Sequence, residues 1–382
     1  MSKPIYLDNA ATTPVAPEVA AVMSQCLTEE GVFANPASRS HLYGWRAEEK
    51  VETARGQVAD LLHCDPRDVV WTSGATEANN LALKGVFEAL DFKGHLITSI
   101  IEHKAVIDPA KWLESRGVAV TWLQPDAEGI IHTEQVRAAL REDTALVSLM
   151  WVNNELGTLN PVQEIGALCR EHNVLMHADS AQAVGKIAID LQHQPIDMLS
   201  VSAHKFYGPK GIGVLVAKRA IQNRLRPQIH GGGHERGLRS GTLATHQIAG
   251  MGAAAKIAAE QLQAEGSRIQ QLRDRLWQGI GDLPNIKRNG SADRVCPGHL
   301  NICFAGIDNE TLLLSLRELA VSSGSACTSA SLEPSYVLKA IGLSDEDALA
   351  SLRISLGRFT TAEQIDKAIA HIRGTVTQLL AA

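Results

Sequence analysis

From about residue 45 onward, the apolar positions of this chain alternate between two spacings. GWRAEEKVETARGQVADLL sets Val51, Ala54, Val58 and Leu61 on one helical face, and the run that follows, DVVWTS, is short and β-rich. Apolar runs recur in HLITSII, VAVTWL, ALVSLMWV, VLMHAD and DMLSVS, most of them separated by helix-like stretches such as VQEIGALCREH. Alternation of this kind predicts an α/β layer fold around a mainly parallel sheet. Only a short Gly/Pro turn joins DMLSVSAHK to GIGVLVAK. That is too short for a parallel crossover, so this pair is predicted antiparallel and the sheet mixed.

Past about residue 260 the texture changes, and a long polar helix, EQLQAEGSRIQQLRDRLWQGI, leads into an α+β segment. The expected division is a large α/β domain over 15–260 and a smaller α+β domain made of 1–14 and 261–382. Thr360 and Glu363 predict a capping box for the last helix, with Ile365, Ile369, Ile372, Val376 and Leu379 as its apolar face.

Composition narrows the class without naming a function. The 382 residues are 45% hydrophobic and 20% charged, an ordinary globular balance that excludes disordered and fibrous classes. A formal charge of −6 offers no general pull toward nucleic acid or an anionic membrane, so no direct nucleic-acid binding is expected. The start, MSKPIYLDNAATTP, has no signal-peptide core, and no run approaches the ~18 apolar residues of a membrane span. A cytoplasmic location is therefore expected. The six cysteines are scattered, with no CxxC pair and no His/Cys cluster at ligand spacing, so neither a disulfide framework nor a metal site is indicated.

In open α/β sheets ligands bind beyond the carboxyl ends of the strands, and four exits carry chemistry. WTSGATEANN ends a strand at Ser73-Gly74 and opens a helix near Ala75 and Thr76. Its free N–H groups could hold a phosphate, or the turn could be an ordinary helix start. VLMHADSAQ leaves Asp179 at a strand end with Gln182 just beyond; the carboxylate could face a protonated ring nitrogen or cap the next helix. SVSAHKFYGPKG delivers Ser202, His204 and Lys205. The lysine is placed for Schiff-base chemistry, with a solvated turn lysine as the plainer alternative. LITSIIEHKAV delivers His103 at the end of an apolar run. A fifth stretch, AVSSGSACTSASLEP, sets Cys327 among small polar residues, a composition that favours a mobile loop over a strand and suits a reactive thiol.

With these motifs together, the chain resembles the cysteine desulfurases of the IscS/NifS type, in the class V aminotransferase group of fold-type I pyridoxal-phosphate enzymes. The likeness runs through YLDNAATTP, NPASRSH, SGATE, EHKAV, VNNE, DSAQ, SAHKFYGPKG, HGGGHERGLRSGT, SSGSACTS and LRISLGRFT. The resemblance implies that Lys205 holds pyridoxal 5'-phosphate covalently, Asp179 meets its ring nitrogen, and His103 stacks on the ring and exchanges protons. Gln182 and Asn154 would bond near the phenolic oxygen. Gly74, Ala75, Thr76, Ser202 and His204 would hold the phosphate, and Thr242 would reach the phosphate of a neighbouring subunit in a homodimer with composite sites. Arg353 would take the substrate carboxylate, with Asn35 nearby.

The implied reaction converts L-cysteine to L-alanine and leaves the sulfur as a persulfide on Cys327, for delivery to an acceptor protein such as an iron–sulfur scaffold. Family members continue past the last helix with a tail implicated in scaffold docking, whereas this chain stops at QLLAA. A nitrogenase-type or a DNA- or tRNA-thiolating acceptor is the other expectation. Competing readings are another class V enzyme, an aminotransferase or selenocysteine lyase, and a non-enzymatic sulfur carrier. The last leaves Lys205, Asp179 and Arg353 unexplained.

Overall fold

The computed structural model describes residues 3–323 and 333–381. A short β1 (Ile5–Tyr6) precedes a seven-stranded sheet built from β2 (Val69–Thr72), β3 (His95–Ser99), β4 (Ala119–Leu123), β5 (Thr144–Met150), β6 (Leu175–Asp179), β7 (Met198–Ser202) and β8 (Gly213–Ala217). The order across the sheet is β2-β8-β7-β6-β5-β3-β4. Neighbours from β7 to β4 pair in parallel, and β8 is antiparallel to both β7 and β2, as the short Gly/Pro turn requires. The carboxyl ends of β2, β3, β5, β6 and β7 therefore open on one edge.

Alternate strand residues feed two separate cores. Trp71, Ile97, Val147, Met176, Leu199 and Val214 pack on one face, and Val70, Leu96, Leu146, Leu175, Met198 and Leu215 on the other. Burial on both faces is the reason these strands read as apolar runs without polar alternation.

A second sheet contains β9 (Ile286–Asn289), β10 (His299–Phe304), β12 (Ser322–Ser323) and β13 (Ser351–Ser355), while β11 (Leu319–Ala320) pairs in parallel with β1. The helix Thr245–Ile280 links the two regions. Its Ile248, Met251 and Ala255 belong to the core of the large sheet, and its Ile269, Leu272 and Leu276 to that of the small one. This partition supports, as a proposal, the division at 15–260 against 1–14 with 261–382.

Two local expectations need correction. The last helix, Ala362–Leu380, takes its capping box from Thr361 and Gln364, one residue later than Thr360 and Glu363. Thr360 is already committed, because its hydroxyl accepts from Gly357 N at 3.0 Å and its carbonyl from Arg268 at 2.9 Å. The stretch after Leu319 does not begin as a loop. Ser322 pairs with Arg353 and Ser323 with Leu352, so extended backbone reaches that far.

A buried ion pair holds the loop that contains Thr242. Glu235 takes both guanidinium nitrogens of Arg55 at 2.9 Å and the Trp71 N–H at 2.8 Å, with Arg55 4% and Glu235 7% exposed. Glu235→Ala leaves the buried guanidinium only the half-exposed Glu52 at 3.1 Å and the Val69 carbonyl and should cost about 3 kcal/mol, whereas Arg55→Met with Glu235→Leu should cost far less. Chemical denaturation of the three proteins checks this, and equal losses in both variants would contradict it.

Candidate active site

At the carboxyl edge of the large sheet lies a pocket of about 500 Å³, within the size range of small-molecule and cofactor sites. The expected cup comes first. Gly74, Ala75 and Thr76 line the pocket where β2 passes into the helix Ala75–Ala89, which aims its free N–H groups there. Gly74 sits at φ 151°, which a side chain resists. At Gly213 a Cβ would come within 2.6 Å of Gly74 Cα, so glycine is what lets β8 start against the cup. Glu77 locks the turn by accepting from Ser73 N at 2.7 Å and from Arg239 at 2.8 Å, which also ties the 230–242 loop to it.

Ser202, His204 and Lys205 follow from the end of β7. Burial, with the charge of Lys205 next, pushes His204 down to about 4, so its ring is neutral and bonds Thr12 Oγ1 at 3.1 Å. The Lys205 ammonium donates to the carbonyls of Ala10 and Ala11, both at 2.7 Å. Asp179, from the end of β6, accepts from Asn79 at 2.8 Å and from Ala181 N at 3.0 Å. Its carboxylate thus caps the following turn and lines the pocket as well. Beneath it, burial pushes His177 down to about 4; its two nitrogens bridge Ser148 and Ser200.

His103 caps the helix Lys104–Ser115 by accepting from Ala105 N through Nδ1 at 3.1 Å, which leaves the neutral ring's proton on Nε2. Asn154 and Gln182 line the wall, and Arg353 reaches in from β13. Arg353 is 3% exposed, donating to Asp8 at 2.9 Å and to the Asn154 carbonyl at 2.9 Å. Asn35 and Thr242 are exposed and do not line this pocket. Cys327 lies outside the described residues. Among those described, no group of His, Cys, Asp and Glu could hold a metal, and no helix is long and apolar enough to cross a membrane.

The segment that carries Cys327 is tied at both ends to this site. Before it, Ser322 pairs with Arg353. After it, Ser335 donates to the buried Glu155 at 2.5 Å, and the Tyr336 hydroxyl to the Glu102 carbonyl at 2.6 Å. Burial pushes Glu155 up to about 7 and Glu102 up to about 8. Sequence reasoning missed Asp8, Asn79, Glu77 and Glu155. Asp8 and Glu155 stood inside quoted motifs, but their partners lie 345 and 180 residues away.

The sequence profile of the class-V aminotransferases matches residues 5–368. The chain belongs to that family. It is 57% identical over 380 residues to the cysteine desulfurase IscS of Aeromonas salmonicida (strain A449), covering 99% of this chain and 94% of that protein. Among solved structures, a NifS-like protein superposes with a TM-score of 0.91 at 36% identity, covering 98% of this chain and all of the other. SspA in complex with cysteine superposes at 0.83 with 43% identity, over 94% of this chain and 100% of that one.

Class-V aminotransferases of this type use pyridoxal phosphate, and the pocket fits it. Asn154 Oδ1 and Arg353 Nε are buried with no partner among the described residues, which leaves an acceptor and a donor for bound groups. The glycine turn and helix start suit a phosphate, Asp179 suits a protonated ring nitrogen, and Lys205 suits a carbonyl carbon.

Proposed function

We propose that this enzyme, a pyridoxal-phosphate-dependent cysteine desulfurase, turns L-cysteine into L-alanine and hands the sulfur, through Cys327, to an acceptor protein. The observation that carries the reading is the convergence of Lys205, Asp179, His103 and Arg353 on one pocket whose neighbouring β12 leads into the Cys327 segment. When bound, pyridoxal phosphate supplies an electron-poor ring that stabilises negative charge at the substrate α carbon.

The chain's own residues do the rest. Arg353 is assigned the substrate carboxylate, which its buried, partly unpartnered guanidinium can take. Lys205 is assigned the α proton, since its amine enters the pocket beside Ala10. His103 is placed to hold or return a proton through Nε2. The Cys327 thiolate attacks the substrate sulfur: a new S–S bond forms, the substrate C–S bond breaks, and its electron pair stays with the carbon skeleton, which is reprotonated to alanine.

A homodimer with composite sites belongs to the same proposal. Thr242 sits exposed on a loop fastened to the cup through Arg239 and Glu77, and therefore points its role toward another copy. Phe33, Leu42, Tyr43 and Trp45, around the NPASRSH motif, are each about half exposed, an apolar cluster suited to a subunit contact. The acceptor is proposed only as a protein able to take sulfur from a persulfide.

The test supplies L-cysteine and a dithiol to purified protein and measures alanine and sulfide. Equal amounts of the two are expected from a species that sediments as a dimer. 3-Mercaptopyruvate in place of alanine, formed when a keto-acid acceptor is added, would make it an aminotransferase; a colourless inactive protein would favour the carrier, and an active monomer would end the composite-site reading.

A further inference from the structure

Behind the pocket wall formed by Gln182 lies a second, smaller cavity of about 30 Å³, lined by Lys186, His299 and Glu265 among others. Ala10 lines both spaces. Among the described residues the only carboxylate on the small cavity is Glu265, and Arg358 engages it at 2.7 Å. Lys186 is half-buried along its length, with its ammonium turned inward onto Gln182 Oε1 at 2.5 Å. The other end of that carboxamide, Nε2, donates to the Ala10 carbonyl at 2.8 Å, and the same carbonyl receives Lys205 Nζ at 2.7 Å.

We propose that Lys186 is a positioning residue for the cofactor pocket, fixing the carboxamide of Gln182 so that its N–H groups face Ala10 and the pocket side occupied by Lys205. This rests on the reading of the pocket as the pyridoxal-phosphate site. The two ends of a carboxamide are nearly identical in shape, so packing alone does not choose between them. An ammonium has three donors and no acceptor, and can meet only the oxygen end. A flipped amide would set N–H against the ammonium and oxygen against the Ala10 carbonyl, two repulsive contacts in place of two attractive ones.

The surroundings reinforce the assignment. Cys296 faces Lys186 as a buried thiol whose ionisation burial opposes, and Arg353 faces it as a like charge. His299, buried with both ring nitrogens unpartnered among the described residues, is kept neutral by burial and by Lys186, Arg353, Lys205 and Arg273 around it. The Gln182 oxygen is thus the hydrogen-bond partner that the structure gives the Lys186 ammonium. Burial pushes Lys186 down to about 8, so the arrangement holds most firmly below that pH.

A double-mutant cycle tests the proposal. Apoprotein of wild type, Lys186→Met, Gln182→Ala and the double variant is titrated with pyridoxal phosphate, and the pH midpoint of the bound chromophore is recorded for each. Loss of a charge-assisted contact should weaken binding about tenfold in each single variant and shift the midpoint. The double variant should match Gln182→Ala alone. Full additivity, or a Lys186→Met protein with wild-type affinity and midpoint, overturns the proposal. If Lys186→Met does not fold, Lys186→Leu, which likewise has no donor, carries the same cycle. A wild type that binds no pyridoxal phosphate would sink the reading of the pocket itself, whereas a weakened Gln182→Ala beside a normal Lys186→Met would sink only the inference about Lys186.

Discussion

Lys205→Ala protein should release no measurable alanine or sulfide from cysteine while remaining folded and able to bind pyridoxal phosphate non-covalently. The structure separates these two outcomes. The Gly74–Thr76 cup, Asp179 and Asn154 stand on other elements, and the Lys205 amine removed by the substitution donates to the Ala10 and Ala11 carbonyls. Turnover loses both the covalent attachment and the proton acceptor. A positioned base alone contributes about 10²–10⁴-fold, so the combined loss should exceed that. Borohydride reduction of the wild type provides the matching positive result, with the cofactor fixed to the peptide that contains Lys205. The informative competitor is Lys186, a second inward-turned amine held at about 8, behind Gln182. Label on Lys186 or on Lys210 would overturn the assignment, as would normal turnover by Lys205→Ala.

The chemistry at the strand exits was readable because the strands announce themselves as apolar runs and the residues after them have one place to go, the open edge of the sheet. Asp179 ends a strand, Lys205 and His103 follow theirs within a few positions, and the structure brings all three to one pocket. What the sequence withheld were the contacts that hold those groups in place. Arg353 reads as a lone arginine until the fold carries Asp8 to it across 345 positions. Lys186 is invisible for a different reason. It lies at helical spacing from Gln182 in an ordinary AQAVGK run, and only the structure shows its ammonium turned into the protein.

Local ambiguity explains the smaller errors. Both Thr360 with Glu363 and Thr361 with Gln364 satisfy the capping-box spacing, and no local rule chooses between them. The choice falls to Gly357 and Arg268, which take up Thr360. Ser322 and Ser323 carry little strand propensity of their own, and they become extended by pairing with β13.

Cys327→Ala should keep cofactor binding and colour intact and lose sulfide release by about 10³-fold or more, the scale on which removal of a covalent nucleophile acts. The other cysteines cannot replace it. Burial pushes Cys64 and Cys169 up to about 12 and Cys303 up to about 11, and raises Cys26 and Cys296 as well. At neutral pH these five are thiols, and the thiolate is the nucleophile. Reach favours Cys327 too. Cys327 lies four positions after Ser323 on β12 and eight before Ser335, so the nearer tether allows about 14 Å at 3.3–3.6 Å per residue. Ser323 pairs with Leu352, the neighbour of Arg353 on β13, so the tether starts beside the proposed carboxylate-binding residue. The variant should be assayed beside Cys64→Ala, the one half-exposed cysteine among those described. Cys64→Ala should behave as wild type, with an equal yield of alanine and sulfide. Persistent sulfide release by Cys327→Ala would remove that residue from the mechanism, and loss of colour with loss of activity would make its role one of cofactor retention.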